Sequence, residues 1–93
     1  MLIGSLQVEL FLPDVFSLKE KRFVMQSLKT KIRNRFNASV AEVDFQDKWQ
    51  RACIGVACVS SDRQVLDSMM TKILEVFYQE DRLEILGQVK EIL

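Results

Sequence analysis

The first twelve residues alternate between apolar and polar side chains, which is the pattern of a strand with one buried face. The apolar face of this strand would consist of Leu2, Gly4, Leu6, Val8, Leu10 and Leu12. The opposite face would carry Ile3, Ser5, Gln7, Glu9 and Phe11. Pro13 ends the strand, because proline has no backbone N–H to donate to a neighbouring strand.

A helix is predicted next, because Ser17 is followed three residues later by Glu20, the spacing of a capping box. The apolar residues of this segment recur with a helical period and fall within about one third of the helix circumference. They are Leu18, Val24, Met25, Leu28, Ile32 and Phe36. Asn37 is a suitable residue to end the helix.

The rest of the chain predicts two strands, a second helix and a final strand. A second strand is expected from Ala38 to about Gln46, with Val40, Glu42 and Asp44 on one face. After a turn at residues 47–50, residues 51–59 are small and apolar on both sides, as in a central strand. Residues 60–62 would cap the second helix, which has a broad apolar stripe. Residues 83–93 close the chain as a fourth strand, with a bulge expected at Gly87.

The element order β-α-β-β-α-β predicts a single ferredoxin-like α+β domain over residues 1–93. In that fold the sheet is four-stranded and antiparallel, its first and third strands are central, and both helices cover one face. The other face would be open and would carry Gln7 and Glu9. Because a small domain gains stability by covering such a face, and Ile3 and Phe11 are apolar residues on it, we expect a homodimer.

Composition argues against a catalytic centre. The chain has no histidine, and its three glycines are isolated and form no phosphate-binding loop. We therefore expect no enzymatic activity, no cofactor and no resident metal. No apolar run approaches the roughly 18–20 residues of a spanning helix, and no signal segment is recognisable, so we expect a cytoplasmic protein. Cys53 and Cys58 lie five residues apart in one strand, on opposite faces and too far apart for a disulfide, which predicts buried reduced thiols.

Charge is distributed unevenly, although the formal net charge is zero. The segment 17–37 has seven basic residues and one acidic residue, a net charge of +6. Asymmetry of this size favours a nucleic acid or another anionic partner. The alternative is a solubilising face whose cations are paired with carboxylates from elsewhere in the fold.

Helical geometry places Arg22, Lys29 and Arg33 on a single stripe beside the apolar face, and Lys19 extends this stripe to the helix start. Lys19, Lys21 and Arg22 lie in the first turn, where the helix dipole disfavours cations and would favour an incoming anion. Trp49 lies between basic residues, a pattern typical of RNA-binding surfaces, although a core edge or an interface is the more common role. The predicted nucleic-acid-binding residues are Lys19, Lys21, Arg22, Lys29, Arg33 and Trp49.

Two other functional interpretations are less favoured. The third strand has no aromatic side chain at residues 52–58, which argues against the base-stacking sheet of an RRM. Glu42 and Asp44 could hold Mg²⁺ or act as a carboxylate pair. Charges on an edge strand also prevent aggregation, and we favour that interpretation.

Three sequence blocks, residues 17–22, 35–43 and 46–52, together resemble the YlxP-like family of small bacterial proteins, a domain of unknown function. The resemblance implies a ferredoxin-like fold, a bacterial cytosolic setting and genes placed near those for translation initiation and ribosome-binding factors. Within the blocks, the residues expected to act in binding are Lys19, Lys21, Arg22, Gln46, Asp47, Trp49 and Gln50. Our leading hypothesis is a non-catalytic RNA- or ribosome-associated accessory domain that binds structured RNA through the first helix. The alternative is a homo-oligomeric interaction module with no nucleic-acid role.

Overall fold

The computed structural model describes all of residues 1–93 and contains six elements in the predicted order. They are β1 (Leu2–Phe11), α1 (Leu18–Arg35), β2 (Ser39–Asp44), β3 (Arg51–Ser60), α2 (Arg63–Tyr78) and β4 (Glu84–Ile92). The strands form one antiparallel sheet in the order β2-β3-β1-β4, so β1 and β3 are central. The ferredoxin-like α+β prediction is confirmed. Neither helix is long and apolar enough to cross a membrane.

The core lies between one face of the sheet and the two helices. Leu6, Val8 and Leu10 of β1 are fully buried, as the alternation predicted. Leu6 pairs with Val56 of β3 and Val8 pairs with Ile54, so the same face of β3 is buried beside them. Both helices pack on this side, which leaves the opposite face of the sheet without a covering layer.

Side-chain caps fix the starts of both helices. Ser17 Oγ accepts a hydrogen bond from the Glu20 N–H at 3.1 Å, which confirms the predicted N-cap of α1. The Glu20 carboxylate accepts the N–H of Phe16 in return, one residue before the cap. At α2, Asp62 Oδ1 accepts the N–H groups of the second and third helical residues at 2.8 and 3.2 Å. The last residue of α1 is Arg35, two residues before the predicted end.

The prediction that Glu42 and Asp44 share a face of β2 is wrong. Glu42 pairs with Ile54 on the helix side, whereas Asp44 pairs with Cys53 on the open side, because Val43 is an extra residue in this strand. Such a bulge reverses the alternation after it. The strand ends at Asp44 because the next residue has a left-handed backbone with φ of 61°.

An irregularity in β4 lies where the sequence indicated. Glu9 pairs with Gly87 and Leu10 pairs with Ile85, so the extra residue is Leu86, next to the predicted position.

Both cysteines are buried and free. Cys53 pairs with Glu9 and Cys58 pairs with Gly4, so the two thiols lie on opposite faces of β3, as predicted. Burial raises the pKa of both thiols, and the charges of Asp44 and Glu9 raise the pKa of Cys53 further. Both sulfurs therefore stay protonated at neutral pH.

Candidate nucleic-acid interface

Most of the basic side chains of α1 have no acidic partner within the chain. Of the seven cations in residues 17–37, only Lys21 and Lys31 form ion pairs, with Glu42 and Glu80 respectively. The five others have no carboxylate within ion-pair distance: Lys19, Arg22, Lys29, Arg33 and Arg35. Carboxylates from elsewhere in the fold therefore pair with only two of the seven cations.

Four of these cations form the row that the sequence predicted, called here the basic stripe: Lys19, Arg22, Lys29 and Arg33. Lys29 is half-buried and the other three are exposed. Arg33 Nη2 donates to the carbonyl oxygen of Val40 at 2.7 Å, which fixes its guanidinium beside β2 and leaves further N–H donors free. At about 1.5 Å per residue, the stripe extends roughly 21 Å along α1.

The structure corrects the assignment of Lys21 as a phosphate contact. Its side chain is only 1% exposed, so it cannot reach a phosphate. Its ammonium donates a hydrogen bond to the carbonyl of Phe45 and meets the Glu42 carboxylate as an ion pair at 2.7 Å. Lys21 lies four residues before Met25 and seven before Leu28, and the helical period places it on the buried face. The helical spacing of Lys21 therefore predicted burial, but its positive charge led to its assignment to the exposed surface.

The β2–β3 loop is held against the segment that leads into α1. Gln50 Nε2 donates to the carbonyls of Pro13 and Val15 at 3.3 and 3.2 Å. The backbone carbonyl of Gln50 accepts the N–H of Leu12 at 2.9 Å. The loop therefore lies at the end of the molecule where α1 begins. There the indole of Trp49 is 52% exposed.

The other loop residues that the sequence singled out have different surroundings. Gln50 has a structural role, because its amide bonds go to backbone carbonyls. Gln46 Nε2 reaches the carbonyl of Glu42 at 3.5 Å, and Asp47 is exposed.

On its other flank, α1 carries an ionic network that sequence reasoning missed. The Glu80 carboxylate is buried and accepts hydrogen bonds from Arg82 Nε at 2.7 Å and from Lys31 Nζ at 3.3 Å. Arg82 also donates to the hydroxyl of Ser27 in α1 at 3.2 Å. The hydrogen bonds from Arg82 lower the pKa of Glu80 to about 2, with a smaller contribution from Lys31. This network compensates Lys31, whereas the four cations on the flank beside β2 have no acidic partner.

Beside this network, a cleft of about 460 Å³ opens at the start of α1. Its apolar lining comes from Val15, Val24 and the exposed ring of Phe23, and Lys19 and Arg82 lie among its charged residues. Lys19 therefore belongs to the basic stripe and also lines the cleft.

Residues 3–89 match a protein family described as "Protein of unknown function (DUF503)". The chain belongs to this family. It is also 40% identical over 73 residues to "Uncharacterized protein YlxP" of Bacillus subtilis (strain 168), covering 78% of this chain and 79% of that relative. The YlxP-like resemblance is confirmed. The DUF503 match includes all of α1 and the β2–β3 loop and ends within β4.

Two solved structures are similar to this DUF503 chain. HapK from Hahella chejuensis matches 95% of this chain and 90% of its own, with 12% identity and a TM-score of 0.47. LarC2, the C-terminal domain of a cyclometallase involved in the synthesis of the NPN cofactor of lactate racemase, matches all of this chain and 56% of its own. Its identity is 9% and its TM-score is 0.40. At these TM-scores neither structure informs the function of the DUF503 chain.

Proposed function

We propose that this DUF503 protein is a non-catalytic accessory protein that binds structured RNA, free or within a ribosomal particle, through the basic stripe of α1. The observation that carries the proposal is the lack of carboxylate partners for Lys19, Arg22, Lys29 and Arg33. A folded domain of zero net charge that leaves one row of cations uncompensated retains a local attraction for polyanions.

The geometry of the stripe suits a phosphate backbone. Its cations follow one another along a rigid helix, at intervals from about one turn to about two. Each cation that neutralises a phosphate releases a counterion condensed on the RNA, which favours binding. Arg22 and Arg33 each offer a planar guanidinium that can bind a phosphate through two parallel hydrogen bonds. Contacts of this kind recognise the shape and backbone of RNA rather than its sequence.

Trp49 offers a second kind of contact at the helix start. Its indole is half-exposed on a loop that Gln50 fixes against Pro13 and Val15. An unpaired base that stacks on such a ring contributes about 1–3 kcal/mol. RNA with an unpaired loop or bulge next to a duplex would therefore use both the stripe and the indole.

A pair of matched double variants tests the proposal. Arg22→Gln/Lys29→Gln removes two stripe cations, whereas Arg63→Gln/Lys72→Gln removes two exposed cations from α2 and gives the same net charge. Binding to a fluorescent RNA hairpin with a loop is measured by anisotropy at about 50 mM salt. We expect the stripe variant to bind about 10- to 100-fold more weakly than the parent and the α2 variant to bind within about 3-fold of it. Equal affinity of the stripe variant and the parent would refute the proposal.

A further inference from the structure

The face of the sheet opposite the helices, called here the open sheet face, has a centre of small apolar and uncharged polar side chains. Val59 and Val89 are 56% and 57% exposed on this face, and Val43 is 49% exposed. The strand pairing assigns to its central rows Ser5, Gln7, Ala41, Gly55, Ala57 and Val89. Asp44, Glu84 and Glu91 lie on the edge strands and Arg51 lies at one end of the face, whereas Glu9 lies on the central strand β1 one row from that end.

We propose that the open sheet face binds the same face of a second copy of this chain, which gives a homodimer with two stacked sheets inside and the helices outside. This inference is independent of the RNA proposal, because the basic stripe lies in the helical layer. The uncharged middle row of the face supports a second copy as the occupant, since self-association would bury no charge in that row. Glu9, one row away on the central strand β1, is ion-paired with Arg51 of its own chain.

The available area is sufficient for a specific dimer. The strands contain 10, 6, 10 and 9 residues. At about 3.3 Å per residue and about 4.8 Å between strands, the face covers roughly 550 Å². Two copies would together bury about 1,100 Å², just above the area of about 1,000 Å² that a biological interface should exceed.

The face is complementary to itself about a two-fold axis that runs parallel to the strands between β1 and β3. This axis places β3 on β1 of the other copy and β2 on β4. Apolar residues then meet, because Val59 faces Ile3 and Ala41 faces Val89. At one end Arg51 comes level with Phe11 of the other copy. Within its own chain the Arg51 guanidinium pairs with Glu9 and lies over the ring of Phe45, so its charge is already compensated.

Other pairs at this interface are also compatible. Ser39 faces Glu91, which has no ion pair within the chain, and its hydroxyl can donate to that carboxylate. Asp44 lies over Gly87, where no atom comes within 4 Å of an added Cβ. An axis across the strands would instead set the charge of Arg51 over Val59. We therefore assign the axis parallel to the strands.

Analytical ultracentrifugation at about 50 μM tests the dimer. The parent should sediment at twice its 10.8 kDa mass. Val89→Asp and Val59→Asp each place a charge on the open sheet face and should raise the dimer dissociation constant at least 10-fold. The matched control is Val65→Asp, which adds the same charge to an equally exposed valine on α2 and should dimerise like the parent. Circular dichroism melts establish that each variant is folded.

A charge-pair rescue tests the axis. Ala41 and Val89 lie on the two opposite edge strands, about 14 Å apart across the sheet of one copy. Only a second copy on the assigned axis brings them together. Adding Ala41→Lys to Val89→Asp should therefore restore the dimer. A parent that sediments as a monomer, a Val89→Asp variant that dimerises like the parent, or a double variant that stays monomeric would each overturn the proposal.

Discussion

The ammonium of Lys21 in α1 lies 2.7 Å from the Glu42 carboxylate in β2, and the two side chains are only 1% and 18% exposed. The same ammonium donates to the carbonyl of Phe45, the residue that follows β2. This relationship ties the first turns of the helix to the edge of the sheet. A lysine that looks from its sequence context like part of an anion-binding surface is therefore a structural element of the fold.

Lys21→Met should destabilise the protein by about 2–4 kcal/mol. Removing one partner of a buried ion pair leaves the other charge uncompensated, and here the residual exposure of Glu42 moderates the loss. The free energy of unfolding from urea titrations measures the effect. The side chain of methionine is close to lysine in volume, so the comparison isolates the charge.

The double variant Lys21→Met/Glu42→Leu provides the control for this pair. Replacing both charges by apolar groups removes the uncompensated carboxylate and should recover most of the lost stability. If the double variant is no more stable than Lys21→Met, the cost does not come from the orphaned Glu42 charge, and our account of this contact fails.

Acid should lower the free energy of unfolding because it protonates the Glu80 carboxylate. Its pKa is lowered to about 2 in the fold from an ordinary value of 4.5, chiefly by hydrogen bonds from Arg82. A lowered folded-state pKa stabilises the protein above about pH 4.5, and this contribution is lost as the pH falls towards 2. Because Arg82 and Lys31 are partly exposed, we expect a contribution of about 2 kcal/mol.

Glu80→Gln measures this contribution in urea titrations between pH 6 and pH 2.5. The stability difference between the parent and the variant should be largest at pH 6 and should shrink by about 2 kcal/mol at the acid end. Glu75→Gln, at an exposed position of α2 with no ion-pair partner, serves as the control and should follow the parent. A stability difference between the parent and Glu80→Gln that is the same at every pH would exclude Glu80 as the source of acid sensitivity.

Close packing of α2 on β1 predicts that Gly4→Ala costs about 1–3 kcal/mol. An added Cβ would lie 2.6 Å from Met70 Sδ and 3.0 Å from Leu66 Cδ1, inside a buried contact. Gly87→Ala is the matched control, because nothing lies within 4 Å of its added Cβ and alanine reduces the entropy of the unfolded chain. Urea titrations should show the control unchanged or more stable by about 0.5 kcal/mol. Equal stabilities of the two variants would contradict this packing.

Local periodicity predicted the elements and the fold, because buried faces such as Leu6-Val8-Leu10 repeat at the period of their element. The face of Asp44 was not predictable from alternation, since one extra residue at Val43 reverses it. Contacts between distant parts of the chain could not be predicted from local sequence patterns either. No local pattern pairs Lys31 with Glu80, 49 residues away, although that pairing compensates one of the cations of α1.

The salt dependence of RNA binding measures how many phosphates the basic stripe neutralises. The four cations of the basic stripe, at about 0.7–0.9 per neutralised phosphate, predict a slope of about −3 to −4 for the logarithm of the association constant against the logarithm of salt concentration. The Arg22→Gln/Lys29→Gln variant should have a slope flatter by about 2, while the Arg63→Gln/Lys72→Gln variant keeps the parental slope. A stripe variant with the affinity and slope of the parent at every salt concentration would show that α1 is only a solvated surface.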